Sequence, residues 1–277
     1  MHSMNTLSTA TRCQIVSCLV EGNSIRATCR MTGSAKNTVV KLLRDLGAAC
    51  EAYQRRTLVG LTCKRVQCDE IWSFCYAKEK NLPKHLKGKP GYGDVWTWTA
   101  LDPDSKLMIS WLVGERDGAY ATEFMGDVAS RLRNRVQLTT DGHKVYFQAV
   151  EDAFGSAVDY AMLVKIYGQP RETEHRYSPA ECVGCRRVAV MGSPDPAYVS
   201  TSYIERSNLT LRMGSRRFTR LTNAFSKKAE NLQAAVALHM MHYNFARIHS
   251  SLRVTPAMEA GVSNHVWSIE EIVDLIK

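Results

Sequence analysis

Residues 66–164 carry an ordered series of short segments whose period switches between two and 3.6, and that order limits the fold more than any other feature of the chain. Residues 66–76 (VQCDEIWSFCY) read as a strand, and residues 78–93, rich in Lys, Pro and Gly, as a loop. Residues 94–101 alternate Trp96, Trp98 and Ala100 with Val95, Thr97 and Thr99, as a second strand does. Asp102-Pro103-Asp104-Ser105 has the composition of a type I turn and leads to a third strand over 106–113. A helix follows over 120–133, with Phe124, Met125, Val128 and Leu132 on one face. Then come an apolar strand over 136–140, stopped by Asp141-Gly142, a helix over 144–154 and a strand over 158–164. An antiparallel meander followed by strand–helix crossovers predicts an α/β fold, a mixed sheet with helices on both faces. Trp72, Trp96, Trp98 and Trp111 fall on predicted strands, where core packing is their expected role.

That order has the form of a ribonuclease-H-like sheet, and it gives two carboxylates a geometric meaning. Asp69 lies on the first strand. Asp141 ends the fourth, at the carboxyl end where open α/β sheets place their sites. Neighbouring strands would bring the two close together. In a chain with 27 acids such a pair does not fix a function by itself. Glu70 is expected to point to the opposite face of the strand and to be structural.

The charge is uneven. The chain of 277 residues has a net charge of +9, and residues 1–65 hold ten Lys/Arg against three acids. Residues 9–21 read as a helix; Ser24 caps a short helix over 25–31; Thr32-Gly33 turns; and Ser34 caps a helix over 35–53. On that last helix Val39, Leu42, Leu43 and Leu46 form the apolar face, and Asn37, Lys41 and Arg44 lie about 200° away. This is the pattern of a helix-turn-helix, whose second helix enters the major groove of DNA. Lys36, Asn37, Lys41 and Arg44 are the candidate DNA contacts. A boundary near residue 60 separates this domain (1–60) from a catalytic domain (61–250) and a helical tail (251–277).

Residues 202–220 (SYIERSNLTLRMGSRRFTR) are the most informative stretch. Ser202 and Glu205 have capping-box spacing. On a helix, Arg212 and Arg216 fall within about 20° of Glu205, with Asn208 about 60° to the side. Glu205 therefore heads a stripe of Asn and Arg, as suits a helix whose first turn holds a metal and whose remainder grips phosphates. Residues 206–228 contain seven Lys/Arg and no acid, a second basic surface suited to a polyanion.

Asp69-Glu70-Ile71-Trp72-Ser73-Phe74, Thr140-Asp141-Gly142, and Tyr203-Ile204-Glu205-Arg206 with Asn208-Leu209-Thr210-Leu211-Arg212 together resemble transposases of the insertion-sequence-one family, which belong to the DDE class of DNA strand transferases. The resemblance spans roughly residues 60–250. Tyr243-Asn244, Arg247, His249-Ser250-Ser251-Leu252 and Thr255-Pro256-Ala257 are similar to the end of integrase-core insertion-sequence enzymes. Shorter members of the family begin with a cysteine zinc finger, and this chain has no such ligand pattern before residue 60. The resemblance implies that Asp69, Asp141 and Glu205 are the catalytic triad. It also implies that they hold two Mg²⁺ about 4 Å apart, with Mn²⁺ able to substitute. Arg212, at the position of the basic residue that follows the catalytic Glu in this class, is then expected to hold DNA near the scissile phosphate. Arg206 and Asn208 are further candidate DNA contacts, and Arg216, Arg217, Arg220, Lys227 and Lys228 are expected to contact its backbone. The implied partners are double-stranded transposon ends and target DNA, and joining two ends in concert calls for at least a dimer. Two other readings share these residues: a transposase-derived DNA-binding protein, and a ribonuclease-H-like nuclease without strand transfer.

No apolar run approaches 18 residues, so no membrane span is expected. Nine Cys, an odd number set mostly within apolar patterns, suit a reducing cytoplasm; the expected DNA partners imply association with the nucleoid. Cys182-x-x-Cys185 has no second CxxC, so a zinc site is not expected. It is read as a turn with two thiols inside an inserted segment, about 165–201, with His175 nearby.

Overall fold

The computed structural model describes residues 7–168, 182–219 and 221–277. Strands β1 (Arg65–Cys75), β2 (Gly93–Leu101) and β3 (Met108–Gly114) form the antiparallel meander, with Asp69 opposite Thr99 and Trp72 opposite Trp96. Helix α4 (Gly118–Arg131) leads to β4 (Val136–Asp141), which runs parallel to β1. Helix α5 (Val145–Phe154) leads to β5 (Val158–Tyr167), parallel to β4. A further strand, β6 (Cys182–Met191), runs antiparallel to β5. The result is a six-stranded mixed sheet in the order β3-β2-β1-β4-β5-β6, flanked by helices. The meander and both crossovers are those the sequence predicts.

Strand β6 corrects the sequence reading, which placed Cys182 and Cys185 at a turn. Most of its side chains are exposed or half-buried, so it lacks the buried alternation that announces a strand. Pairing to β5, not burial, sets its conformation. His175 and the neighbouring part of the inserted segment lie outside the described residues.

Three helices precede the sheet: α1 (Thr9–Val20), α2 (Ile25–Thr32) and α3 (Lys36–Thr57). Ser8 and Ser24 cap the first two through bonds from the Thr11 and Ala27 amides. Gly33 ends α2 in the left-handed conformation, φ +67°, which glycine adopts without steric cost. The N-cap of α3 is Ala35, with no side-chain cap, rather than Ser34. Helix α3 also runs a full turn past the expected end at Tyr53. Gln54 explains this: it is fully buried, and its amide donates to the Ala237 carbonyl (3.3 Å) and accepts from Asn244 (3.3 Å). Those partners come from distant segments, α7 (Ala229–Met241) and the π-helical turn His242–Ala246 that continues it.

Helix α3 lies against α7 at Gly47, where an added Cβ would stand 2.5 Å from Ala234 Cα. Gly47→Ala is therefore expected to destabilise the chain by about 2 kcal/mol through overpacking. Urea unfolding checks this, and an unchanged midpoint would mean that the two helices separate at little cost.

One apolar cluster runs from Ile15, Val39 and Leu46 through Trp98, Phe124, Leu138 and Tyr160 to Phe245 and Ile272. The connection near residue 60 thus joins segments that share one core. A second cluster on the other side of the sheet packs Ile71, Leu101 and Val113 beneath Ile204 and Leu211 of α6 (Ser202–Gly214). Asn244 accepts from the Met108 amide and donates to the Met108 carbonyl, both at 3.0 Å, completing the backbone pairing of β3 at that point. The tail forms α8 (Pro256–Glu259) and α9 (Ile269–Asp274), and α9 buries Ile272 and Val273. Among the described residues, no helix is long and apolar enough to cross a membrane.

Candidate active site

Register alone brings the first two acids together. Parallel pairing of β1 with β4 ends at Gln67 opposite Thr139. Asp69 and Asp141 each stand two residues further along, so they share one level across the two strands. The β1–β4 pairing stops short of both. Glu70 joins the two acids, against the expectation that it is only structural. Carboxylate oxygens of Asp69, Glu70 and Asp141 all lie within 4.8 Å of one another.

Three acids so close are costly unless protons or cations relieve them. Burial, and then the Asp141 charge, push the Asp69 pKa up to about 6; the Glu70 amide and Asn208 pull against this. Burial and Asp141 likewise push Glu70 up to about 7, opposed by Tyr146 and Arg116. The Arg116 guanidinium is the main counter-charge. It lies 3.0 Å from Glu70 and 3.6 Å from Asp141, and 4.7 Å above the Trp96 ring. Asp141 also accepts from the His143 amide (3.0 Å). Glu70 Oε1 is buried beside the Tyr146 hydroxyl. A crowded oxygen-only donor set of this kind fits a hard divalent cation such as Mg²⁺ or Mn²⁺.

Helix α6 supplies the remaining groups, and here several expectations change. Glu205 is not part of a capping box: Thr201 is the N-cap and makes no cap bond. The Glu205 carboxylate instead accepts from the Thr201 hydroxyl and pairs with Lys165 Nζ at 2.6 Å. It is not a member of the 4.8 Å cluster. Asn208, expected to face DNA, is 4% exposed and donates to Asp69 Oδ2 at 2.9 Å, while its oxygen accepts from Thr99 at 3.2 Å. A buried carboxylate needs a donor, and this amide fills that need. Arg216 is exposed but off the stripe, because α6 ends at Gly214 and residues 216–218 form a separate 3₁₀ turn. Arg217 is turned inward, bonded to Ser226 Oγ (3.0 Å), and burial lowers its pKa to about 10. Arg206 and Arg212 are exposed on α6, and Arg220 lies outside the described residues. Lys36, Asn37, Lys41 and Arg44 are exposed on the first half of α3, far in sequence from this cluster, with Lys41 paired to Asp45.

Sequence reasoning missed Glu70, Arg116 and Lys165 as members of the site. Each meets its partners across the fold, and local periodicity carries no sign of it. Asn208→Ala is expected to cost about 1–2 kcal/mol, because it removes the bonds to Asp69 Oδ2 and from the Thr99 hydroxyl in a buried setting, although Thr99 keeps its bond to the Asp69 carbonyl (3.0 Å). Urea unfolding at neutral pH measures this, and a loss below a few tenths would show that the Asp69–Asn208 bond is not held in solution.

No family model matches this chain, and no curated protein matches it. Among solved structures, the Mos1 strand transfer complex is similar at 10% identity, over 88% of this chain and 79% of that one, with a TM-score of 0.25. A synaptic complex of piggyBac transposase with hairpin DNA is similar at 12% identity, over 100% and 73%, with a TM-score of 0.40. The Mos1 mariner paired-end complex with Mn gives 10% identity, 87% and 78%, and 0.30. Overlaps at this level do not decide the fold or the site, which stand on the strand order and the carboxylate geometry.

Proposed function

We propose that this chain is a DNA transposase that cuts the phosphodiester at the ends of its element and joins the freed 3′-OH to target DNA. The observation that carries the reading is the convergence of Asp69 and Asp141 at one level of two parallel strands. Asp69 and Asp141 would hold the divalent cations, with Glu205 as the third ligand. Glu205 sits one helical turn before Asn208, which already touches Asp69. Divalent cations there supply charge stabilisation at the reacting phosphate and activate the attacking oxygen. The chain's own groups do the rest. Asn208 fixes the orientation of Asp69, Arg116 holds Glu70 and Asp141 against their mutual repulsion, and Arg212 meets the backbone near the cut.

In this reading both steps are in-line displacements, so no Ser or Tyr is a nucleophile and no covalent protein–DNA adduct forms. Helices α2 and α3 act as a helix-turn-helix, with Lys36, Asn37, Lys41 and Arg44 meeting the major groove of the terminal repeat. Two chains act together, one at each end. The test is a joining assay with 3′-OH duplex ends taken from the sequence flanking the gene, supercoiled plasmid and Mg²⁺. Metal-dependent joining is expected. Tight binding of the ends without joining would favour a DNA-binding protein descended from a transposase, and cutting without joining would favour a nuclease.

A further inference from the structure

We propose a second anion site, across α6 from the carboxylate cluster, that takes a phosphate group of a nucleic-acid strand. This rests on the reading that the chain handles DNA. Positions 203, 206, 207 and 210 share one flank of α6, while Glu205 and Arg212 occupy the other, with buried Ile204, Asn208 and Leu211 between them against the sheet. On the first flank lies a cavity of about 300 Å³, where Arg206 meets Lys106, Arg247 and His249. Two tyrosines, Tyr203 and Tyr243, also line it, and no carboxylate does. Neither the Arg206 nor the Arg247 guanidinium has a hydrogen-bond or ion-pair partner among the described residues.

The walls are fixed by specific bonds. The Tyr243 hydroxyl donates to the Lys106 carbonyl (3.0 Å), which ties the segment after α7 to the β2–β3 turn. Lys106 has φ +63°, and its ammonium lies 3.9 Å above the Tyr203 ring. His249 donates its amide to the Val254 carbonyl (2.9 Å), and its ring Nδ1 meets Ser251 Oγ (3.0 Å), closing the turn that carries Arg247 and His249. Lys106 Nζ is bonded to the Pro103 carbonyl, but gathering it with two unpaired guanidinium groups in one cavity is unfavourable without an anion. Consistent with this, burial and then Lys106 and Arg247 hold the His249 pKa below its ordinary value. A phosphate offers the acceptor oxygens that the two guanidinium forks lack here. The contrast is the larger cavity of about 700 Å³ around Arg65, Asp102 and Asp104, which shares Lys106 but carries acids, and where Arg65 is already paired with Asp104. This site also gives Arg247 and His249, left without a role by the catalytic reading, a direct one.

The test uses the full chain and two probes: a fluorescent duplex of arbitrary sequence, followed by anisotropy from low to moderate salt, and inorganic phosphate, followed by ³¹P line broadening. Arg247→Gln and Arg206→Gln, on different elements, are each expected to weaken duplex binding roughly tenfold and to reduce the salt slope by about one. Both are expected to abolish the phosphate broadening that wild type shows. Circular dichroism confirms that each variant is folded. Loss of phosphate broadening with unchanged duplex binding would overturn the nucleic-acid assignment in favour of a free phosphate compound. No change with either probe would overturn the site. Wild-type protein that shows this Arg247-dependent binding yet never joins DNA would remove the transposase reading and leave the anion site standing.

Discussion

Asp69→Asn and Asp141→Asn are each expected to lower DNA joining by about 10³-fold or more, while end binding stays within about twofold of wild type. Asn keeps the shape of Asp and much of its hydrogen bonding, so Asn208 and the His143 amide still find an oxygen. What is lost is the negative charge that holds a divalent cation, and with it several kcal/mol of transition-state stabilisation. Glu205→Gln is expected to match the two Asp variants. Glu70→Gln is expected to keep at least about a tenth of the activity, since in this reading Glu205, not Glu70, is the third cation ligand. That comparison decides which acid completes the set. Full joining by Glu205→Gln together with a collapse in Glu70→Gln would assign the third position to Glu70, and unimpaired Asp69→Asn would end the proposal.

The strand order was legible because the segments that build the sheet centre bury one or both faces, and burial writes itself into sequence as alternation or as an apolar run. Asp141 was legible for a related reason: an apolar strand that stops at Asp-Gly marks its own carboxyl end. Strand β6 left no such trace, being an edge strand held by backbone pairing to β5. On α6, periodicity placed Glu205 and Asn208 on one helix, but it could not tell a buried amide from a DNA-facing one. That distinction depends on Asp69, 139 residues away in sequence. Nor could it foresee that the helix stops at Gly214, which takes Arg216 off the stripe and lets Arg217 turn inward to Ser226. Glu70 is the sharpest case. Strand alternation puts it on the face opposite Asp69, yet just past the last β1–β4 pair its carboxylate lies within 4.8 Å of those of Asp69 and Asp141. Arg116 and Lys165 reach their carboxylates from other strands and loops, so only the assembled sheet reveals them.

Asp69→Asn is also expected to stabilise the protein in metal-free buffer above about pH 6, by on the order of 3 kcal/mol, with no advantage near pH 4. The unfolded Asp69 carboxyl ionises near 3.8, whereas in the fold it does so at about 6. The folded state therefore binds this proton more tightly than the unfolded state. The stability it contributes is fully present below the unfolded value and is lost as pH rises to the folded one. A gap of about two pH units corresponds to roughly 3 kcal/mol. Glu70 acts in the same direction over a window from 4.5 to about 7. Removing the Asp69 charge also relieves Glu70, since Asp69 is one of the charges that raise it. For a chain of this length the difference is on the order of 5–10 °C in Tm. Millimolar Mg²⁺ or Mn²⁺ is expected to reverse the ranking, because a cation bound among the carboxylates stabilises wild type and has lost a ligand in the variant. Thermal melts of both proteins from pH 4 to 8, with and without Mn²⁺, measure all of this. A Tm difference that stays flat with pH, or a wild type indifferent to millimolar metal, would show that these acids do not form a charged cluster in solution. The same crowding that makes the resting protein less stable is what makes the cluster a strong cation site, and the melts read both properties from one substitution.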